Sequence, residues 1–370
     1  MSEQVKAAVF MGPHTPFEIR EFPVTATPAG YGRSRLIASG VCGTDLHFWR
    51  GTLAVGAPSI VGHEFVGKLE DADPAEAAKY GLKVGDNVIA DIAVPCGKCP
   101  LCLAGDEANC VNMGVTNGGS IEEAPYLWGG YTEVNYTPLA NLVKIPDELD
   151  PKTVAAFACP GPTAMHAFKL AARAGIHVAD MNVAVVQGLG PVGSYAALYL
   201  KAIGVKKVYA VAYHIPDEKR ARYNALGLDG IYDLEIMGDD GVIELLSKEN
   251  GGLGVDLVFE ASGSPKAVPV GMTVLRNRGV YLVPGQYSNA GGITIQPQLI
   301  TFKALQIIGS SQYDLGDVAA YLDFLCAHPG CQDIIRKISD AYPVDMVNKA
   351  FEDALAGKNI KTLLINRCTK

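Results

Sequence analysis

Val183-Ala184-Val185-Val186-Gln187 runs directly into Gly188-Leu189-Gly190-Pro191-Val192-Gly193 and then into an apolar stretch with helical spacing, Ser194 to Gly204. A Gly-x-Gly-x-x-Gly alone says little, but between a buried strand and a helix each glycine has a physical reason. The first makes a tight turn, the second lets the backbone approach a pyrophosphate, and the third lets helix and sheet pack closely. The helix N-terminus meanwhile offers unpaired N–H groups to an anion. Further apolar strands are read at Lys207 to Val211, Val255 to Glu260, Gly279 to Pro284 and Leu305 to Gly309. Strands alternating with helices predict a doubly wound parallel sheet, with Gly188, Leu189, Gly190, Pro191, Val192 and Gly193 cradling a dinucleotide.

The end of the second strand of such a sheet chooses between cofactors. An acid there bonds the adenosine ribose hydroxyl and favours NAD, whereas a small residue with cations nearby admits the extra phosphate of NADP. The sequence reads Val208-Tyr209-Ala210-Val211-Ala212-Tyr213-His214, without the acid, and Lys219, Arg220 and Arg222 follow. Ala212, His214, Lys219 and Arg220 are therefore assigned to the cofactor, with NADP favoured over NAD. Asp217 or Glu218 folding back, with the cations on a solvated helix face, is the competing reading.

The region before this sheet has a different pattern. Lys6 to Phe10, Phe17 to Arg20, Arg35 to Gly40, Phe65 to Leu69 and Gly85 to Ala90 read as strands broken by Pro and Gly, which predicts an all-β, barrel-like unit. Between them lie Cys42-Gly43-Thr44-Asp45-Leu46-His47 and Gly62-His63-Glu64. A thiol, an imidazole and two carboxylates are the groups Zn²⁺ takes as ligands and supporting partners, so this stretch reads as half of a catalytic metal site at the barrel rim. By itself one Cys and one His at this distance fit no closed zinc pattern, and packing is the competing explanation.

Cys96, Cys99 and Cys102, with Cys110 further on, place three sulfurs on one side of a turning loop and add a fourth. Four thiols close a tetrahedral shell with no open position, so the lobe is expected to hold a structural zinc. Scattered thiols or an iron–sulfur cluster are the alternatives. The nine cysteines are odd in number and clustered, which fits metal binding in a reducing compartment better than a disulfide framework. Cys326, Cys331 and Cys368 belong to no pattern and read as partly buried thiols, and His14, His166, His177 and His328 as structural side chains.

Asp150-Pro151 reads as an N-cap with proline at the first helical position. Cys159-Pro160-Gly161-Pro162 is expected to stop that helix before another resumes at Thr163, with Cys159 in a junction between domains. Phe48, Trp49 and the loop around Trp128 are candidates for an apolar substrate wall; covering the barrel edge is the equal alternative for that loop. Ser310, Ser311, Gln312 and Tyr313 follow the last strand and are placed near nicotinamide or substrate. At 370 residues two domains are expected. A net charge of −8 without a basic block argues against nucleic-acid or anionic-membrane surfaces and for a small-molecule substrate. The start lacks a signal-like pattern and no apolar run is long enough to span a membrane, so a cytoplasmic location is expected.

With these motifs in this order, the chain resembles a zinc-dependent medium-chain alcohol dehydrogenase over essentially its whole length. The resemblance implies a GroES-like catalytic domain (α/β plus β overall) made of residues 1–158 and 311–370, with its zinc lobe at about 94–112 and an inserted Rossmann domain at 159–310. It implies two zinc ions per chain, an NAD(P) cofactor and a homodimer or homotetramer. Cys42 and His63 match the first two catalytic ligands, and Cys159 falls where the third belongs. Thr44 and His47 match a proton relay, Asp45 an acceptor for His63, Glu64 a group able to approach the zinc, and Lys361 a basic residue near the pyrophosphate. Polyol dehydrogenases of this family tend to carry Glu-Pro where this chain has Cys159-Pro160, which turns the expectation toward primary or secondary alcohols and their aldehydes or ketones. A polyol dehydrogenase, a zinc-free quinone or enoyl reductase and a non-catalytic dinucleotide-binding zinc protein are the alternatives.

Overall fold

A computed structural model describes residues 3–367; Cys368 lies outside them. The chain divides into two compact units, Met1–Pro162 with Gln312–Lys370, and Thr163–Ser311. The first division falls inside the helix Pro160–Arg173, a few residues beyond the expected border at 158, so Cys159 belongs to the first unit.

In the second unit six strands form one parallel sheet, in the order Gly230–Asp233, Lys207–Ala212, Val183–Gln187, Val255–Glu260, Leu275–Val283 and Gln306–Gly309. Numbered along the chain, this is the order 3-2-1-4-5-6 of a Rossmann sheet, whose direction reverses between its first and fourth strands. Val183–Gln187 and Val255–Glu260 are buried along their full length, as strands covered on both faces must be. The strand Gly230–Asp233 was not anticipated. It is short and only its last residue is buried, so it carries neither the apolar run nor the alternation that marks its neighbours.

In the first unit the central strand is Tyr31–Val41. It pairs antiparallel with Glu64–Ala72 on one side and Lys361–Ile365 on the other, and also with Val134–Pro138. Its burial alternates at the start and becomes continuous from Ala38, where neighbours cover both faces. The outward Arg35 forms a two-point ion pair with Glu70, at 2.6 and 3.0 Å. Phe10, Leu36, Phe65, Val88, Tyr131, Phe351 and Leu364 fill the core, so both chain ends contribute to one hydrophobic cluster. Ala93–Val94 pairs with Gly114–Val115 and ties off the four-cysteine lobe.

Cys42, placed at the barrel rim from the sequence, precedes an eight-residue helix, Gly43–Arg50, that was not anticipated. Its backbone N–H donates to Asp45 Oδ2 at 2.9 Å, so Cys-x-x-Asp closes the helix start as a capping box does. The helix that starts at Pro151 ends at Ala156, and the next begins at Pro160 rather than at Thr163, because the first turn of a helix needs no N–H from its residues. Cys159 therefore sits in the short break between Pro151–Ala156 and Pro160–Arg173. Among the described residues no helix is long and apolar enough to cross a membrane.

Candidate metal and dinucleotide sites

Cys42, His63, Glu64 and Cys159 each bring one ligand atom to a cluster in which all four atoms lie within 4.8 Å of one another. The helix cap places Cys42, the start of the strand Glu64–Ala72 places His63 and Glu64, and the break before Pro160 places Cys159. The sulfurs of Cys42 and Cys159 are 3.9 Å apart, the separation expected when two Zn–S bonds of about 2.3 Å meet at a tetrahedral angle. The donor set therefore fits a zinc ion. Thr44 Oγ1 lies 3.8 Å from Cys42 Sγ.

The electrostatics of the cluster follow from burial and mutual proximity. A hydrogen bond from Cys159 holds the Cys42 thiol well below the ordinary thiol range, against the burial that opposes its charge; the same contact pushes Cys159 up. Burial opposes the charged form of His63, but Cys42 and Asp45 overcome it and raise the imidazole to about 10. Burial pushes Glu64 up to about 8 while Lys361 pulls it back. Anionic sulfur beside a group that must shed its own proton to ligate is a site that exchanges protons for a cation.

Asp45 Oδ1 is 3.7 Å from His63 Nδ1, too long for a hydrogen bond, while Oδ2 accepts from the Cys42 N–H and from the Tyr131 hydroxyl at 2.7 Å. Tyr131, fully buried, was missed in the sequence because an aromatic reads first as core. His47 lies one helical turn beyond Thr44, its Nδ1 2.7 Å from Thr52 Oγ1, and burial together with Arg50 keeps its pKa below the ordinary imidazole value. Phe48 and Trp49 pack on the core of the first unit, and Trp128 meets Tyr31 edge-on at 5.7 Å.

Lys361 is the clear correction. Expected at the pyrophosphate, it is 1 % exposed, with its ammonium on Glu64 and, at 3.1 Å, on the Val41 carbonyl. Pairing of Thr362 with Val41 at the start of the closing strand puts it inside the first unit. Tyr313 is buried too, and Cys159 and Asp91 are among the charges that raise its pKa.

The Cys96, Cys99, Cys102 and Cys110 sulfurs also cluster within 4.8 Å, with Cys99 at 3.5 Å from Cys102 and 4.0 Å from Cys110. Backbone N–H groups of Cys96 and Cys102 point at the sulfurs of Cys110 and Cys99. The Cys102 N–H and that of Val111 hold the Cys99 thiol down at about 6, which favours a thiolate. This donor set fits a closed tetrahedral metal shell.

In the second unit the glycine loop has the geometry its motif requires. Gly188 has φ +87°, and a Cβ there would stand 2.6 Å from Ser262 Cα; a Cβ on Gly193 would collide with the Gly188 carbonyl. A Cβ on Gly190, at the cap of the helix Pro191–Ala202, would meet nothing within 4 Å, leaving space for a pyrophosphate. Hydroxyls of Tyr223 and Ser194 bond the Leu189 carbonyl at 2.7 and 3.2 Å and fix the loop. After Ala212 the chain turns through His214, at φ +56°. Asp233 holds that turn, accepting from the N–H groups of His214 and Ile215 at 3.0 and 2.7 Å. The His214 ring pairs with Glu235, Arg220 donates to the Ile231 carbonyl at 3.0 Å, and Lys219 lies over the Tyr223 ring at 5.9 Å.

Comparison with known proteins agrees with both halves. Residues 34–147 match the family described as alcohol dehydrogenase GroES-like domain, and residues 191–327 the family described as zinc-binding dehydrogenase. A probable D-xylulose reductase A of Aspergillus terreus is 28% identical, covering 98% of this chain and 99% of its own. A 5-exo-hydroxycamphor dehydrogenase of Pseudomonas putida is likewise 28% identical, with the same coverage of 98% and 99%. The crystal structure of an alcohol dehydrogenase from Thermotoga maritima superposes with a TM-score of 0.88 at 22% identity, covering 99% of this chain and all of its own. The chain is thus an oxidoreductase of the medium-chain zinc alcohol dehydrogenase family.

Proposed function

We propose that the protein transfers a hydride between an alcohol, primary or secondary, and NAD(P)⁺, and in reverse reduces the matching aldehyde or ketone, with one catalytic and one structural zinc per chain. The observation that carries this reading is the convergence of Cys42, His63 and Cys159, a three-donor set with the two sulfurs 3.9 Å apart. Zinc held there supplies Lewis-acid polarisation of the substrate oxygen, and the nicotinamide accepts or donates the hydride.

The protein's own part is to bind, orient and move a proton. Cys42, His63 and Cys159 hold the metal, and Asp45, fixed by Tyr131 and the Cys42 N–H, sets the electrostatics beside His63. Thr44 accepts the substrate hydroxyl proton and passes it toward His47, whose lowered pKa keeps the ring neutral near pH 7 and able to take it. Gly188 to Gly193 seat the pyrophosphate. NADP is favoured because Ala212 leaves the strand end without its own acid, and the nearby Asp233 is already committed to backbone N–H groups. Relatives named for D-xylulose and for hydroxycamphor favour a secondary alcohol, and the first keeps a polyol open as second reading. A homodimer or homotetramer and a cytoplasmic location complete the reading. Turnover at the nicotinamide absorbance, over secondary, primary and polyol substrates with each cofactor, tests it: chelator-sensitive turnover supports it, and turnover indifferent to a chelator that strips the metal refutes it.

A further inference from the structure

Glu64 and Lys361 are 297 positions apart in the chain and meet because the central strand has one on each side. Gly40 stands opposite Glu64 in one pairing and opposite Leu363 in the other. Both side chains are fully buried. The ammonium of Lys361 bonds one oxygen of Glu64 and the Val41 carbonyl, while Glu64 Oε1 has no hydrogen-bond partner. A Cβ on Gly40 would collide with the Glu64 carboxylate, so the central strand carries no side chain where the pair sits. A buried ion pair seldom adds net stability over an apolar pair of similar size, so stability alone does not account for it.

The position of the pair suggests another reason. A carboxylate oxygen of Glu64 belongs to the same cluster as Cys42, His63 and Cys159, and a carboxylate is a good zinc ligand. Three donors leave one coordination position for a substrate; a fourth donor closes it. We propose that Lys361 is a positioning residue that holds Glu64 back from the metal of Cys42, His63 and Cys159 and so keeps the fourth position open. The proposal rests on the zinc reading above. Without the ammonium, the buried carboxylate has the metal as its nearest available cation and becomes the fourth ligand.

The test uses full-length protein loaded with Co²⁺ and titrated with imidazole, read from the cobalt d–d absorption bands. Lys361→Met is expected to change the bands of the unliganded protein and to weaken imidazole binding by about tenfold or more, within the range typical of groups that support a metal site. Adding Glu64→Gln to Lys361→Met, which removes the competing carboxylate, is expected to restore wild-type bands and affinity. Should Lys361→Met fail to fold, Lys361→Gln poses the same question, since its amide is uncharged yet can still donate to Glu64. Imidazole binding unchanged by loss of the ammonium overturns the proposal, as does a double variant no tighter than the single one. Imidazole-responsive bands in the wild type with no effect of Lys361 leave the zinc reading standing, whereas a wild type that takes no metal at Cys42 and Cys159 overturns both.

Discussion

The hydroxyl of Tyr131 donates to Asp45 Oδ2 at 2.7 Å inside the core of the first unit, linking the segment that leads into the strand Val134–Pro138 to the helix Gly43–Arg50. Asp45 is fully buried and its other oxygen has no hydrogen-bond partner, so this bond and the Cys42 N–H fix the carboxylate beside His63. Tyr131→Phe removes the donor with little change of shape. It is expected to cost roughly 1–3 kcal/mol of stability and to lower zinc affinity about 10- to 100-fold. Denaturant unfolding and competition with a metal indicator measure the two; an unchanged affinity would show that Asp45 does not support the metal.

The four-cysteine lobe makes a separate prediction. Cys110→Ser is expected to lower the metal content from two ions per chain to one, since the second cluster has its own donors. Elemental analysis after gel filtration checks it, and a content still at two would mean that Cys110 is not a ligand.

Gly190 separates cofactor binding from folding. A Cβ there has open space and φ is −69°, so Gly190→Ala should leave stability within about 0.5 kcal/mol of wild type. The added methyl stands where the pyrophosphate must approach, so dinucleotide affinity should fall about tenfold or more. Fluorescence titration with NADPH reads the second effect; unaltered affinity would place the phosphates elsewhere.

Ala212→Asp adds an acid at the strand end and is expected to move the kcat/KM ratio of NADP to NAD by about tenfold toward NAD. An unmoved ratio would mean that selectivity lies in other residues.

Burial raises Asp91 to about 7, far above its ordinary 3.8, with one backbone bond from Ala93 pulling the other way. A carboxyl raised on folding binds its proton more tightly in the native state. Its contribution is therefore fully present below about pH 4 and is lost as pH rises toward 7. Asp91→Asn is neutral throughout and keeps an acceptor for the Ala93 N–H. The stability of this variant relative to wild type should rise by about 2–4 kcal/mol between pH 4 and pH 8. Denaturant midpoints at several pH values check this, and parallel curves would contradict it.

The clustered candidate metal donors and the glycine loop were legible because the chemistry expected of them needs particular residue types: four thiols at Cys96, Cys99, Cys102 and Cys110, and three glycines between a strand and a helix. Features set by long-range register were not. Nothing local to Lys361 reveals that its strand lies beside Val41, and a lysine at a strand start reads as a surface residue until the sheet order is known. Tyr131 and Asp233 were hidden for the same reason, since their partners are 86 and about 20 positions away in sequence. The helix after Cys42 was missed although Cys-x-x-Asp carries its signal, because thiols are not usually read as caps.

On the proposed function, Cys42, His63 and Cys159 hold a zinc ion on which alcohol oxidation depends. The most direct test is the metal content and NADP-linked turnover of wild type beside Cys159→Ser, before and after dialysis against a chelator and readdition of Zn²⁺. Two zinc ions per wild-type chain are expected, with turnover lost on chelation and recovered with Zn²⁺, and one zinc with little turnover in the variant. Full turnover in Cys159→Ser, or turnover that persists after the metal has been removed, would contradict it.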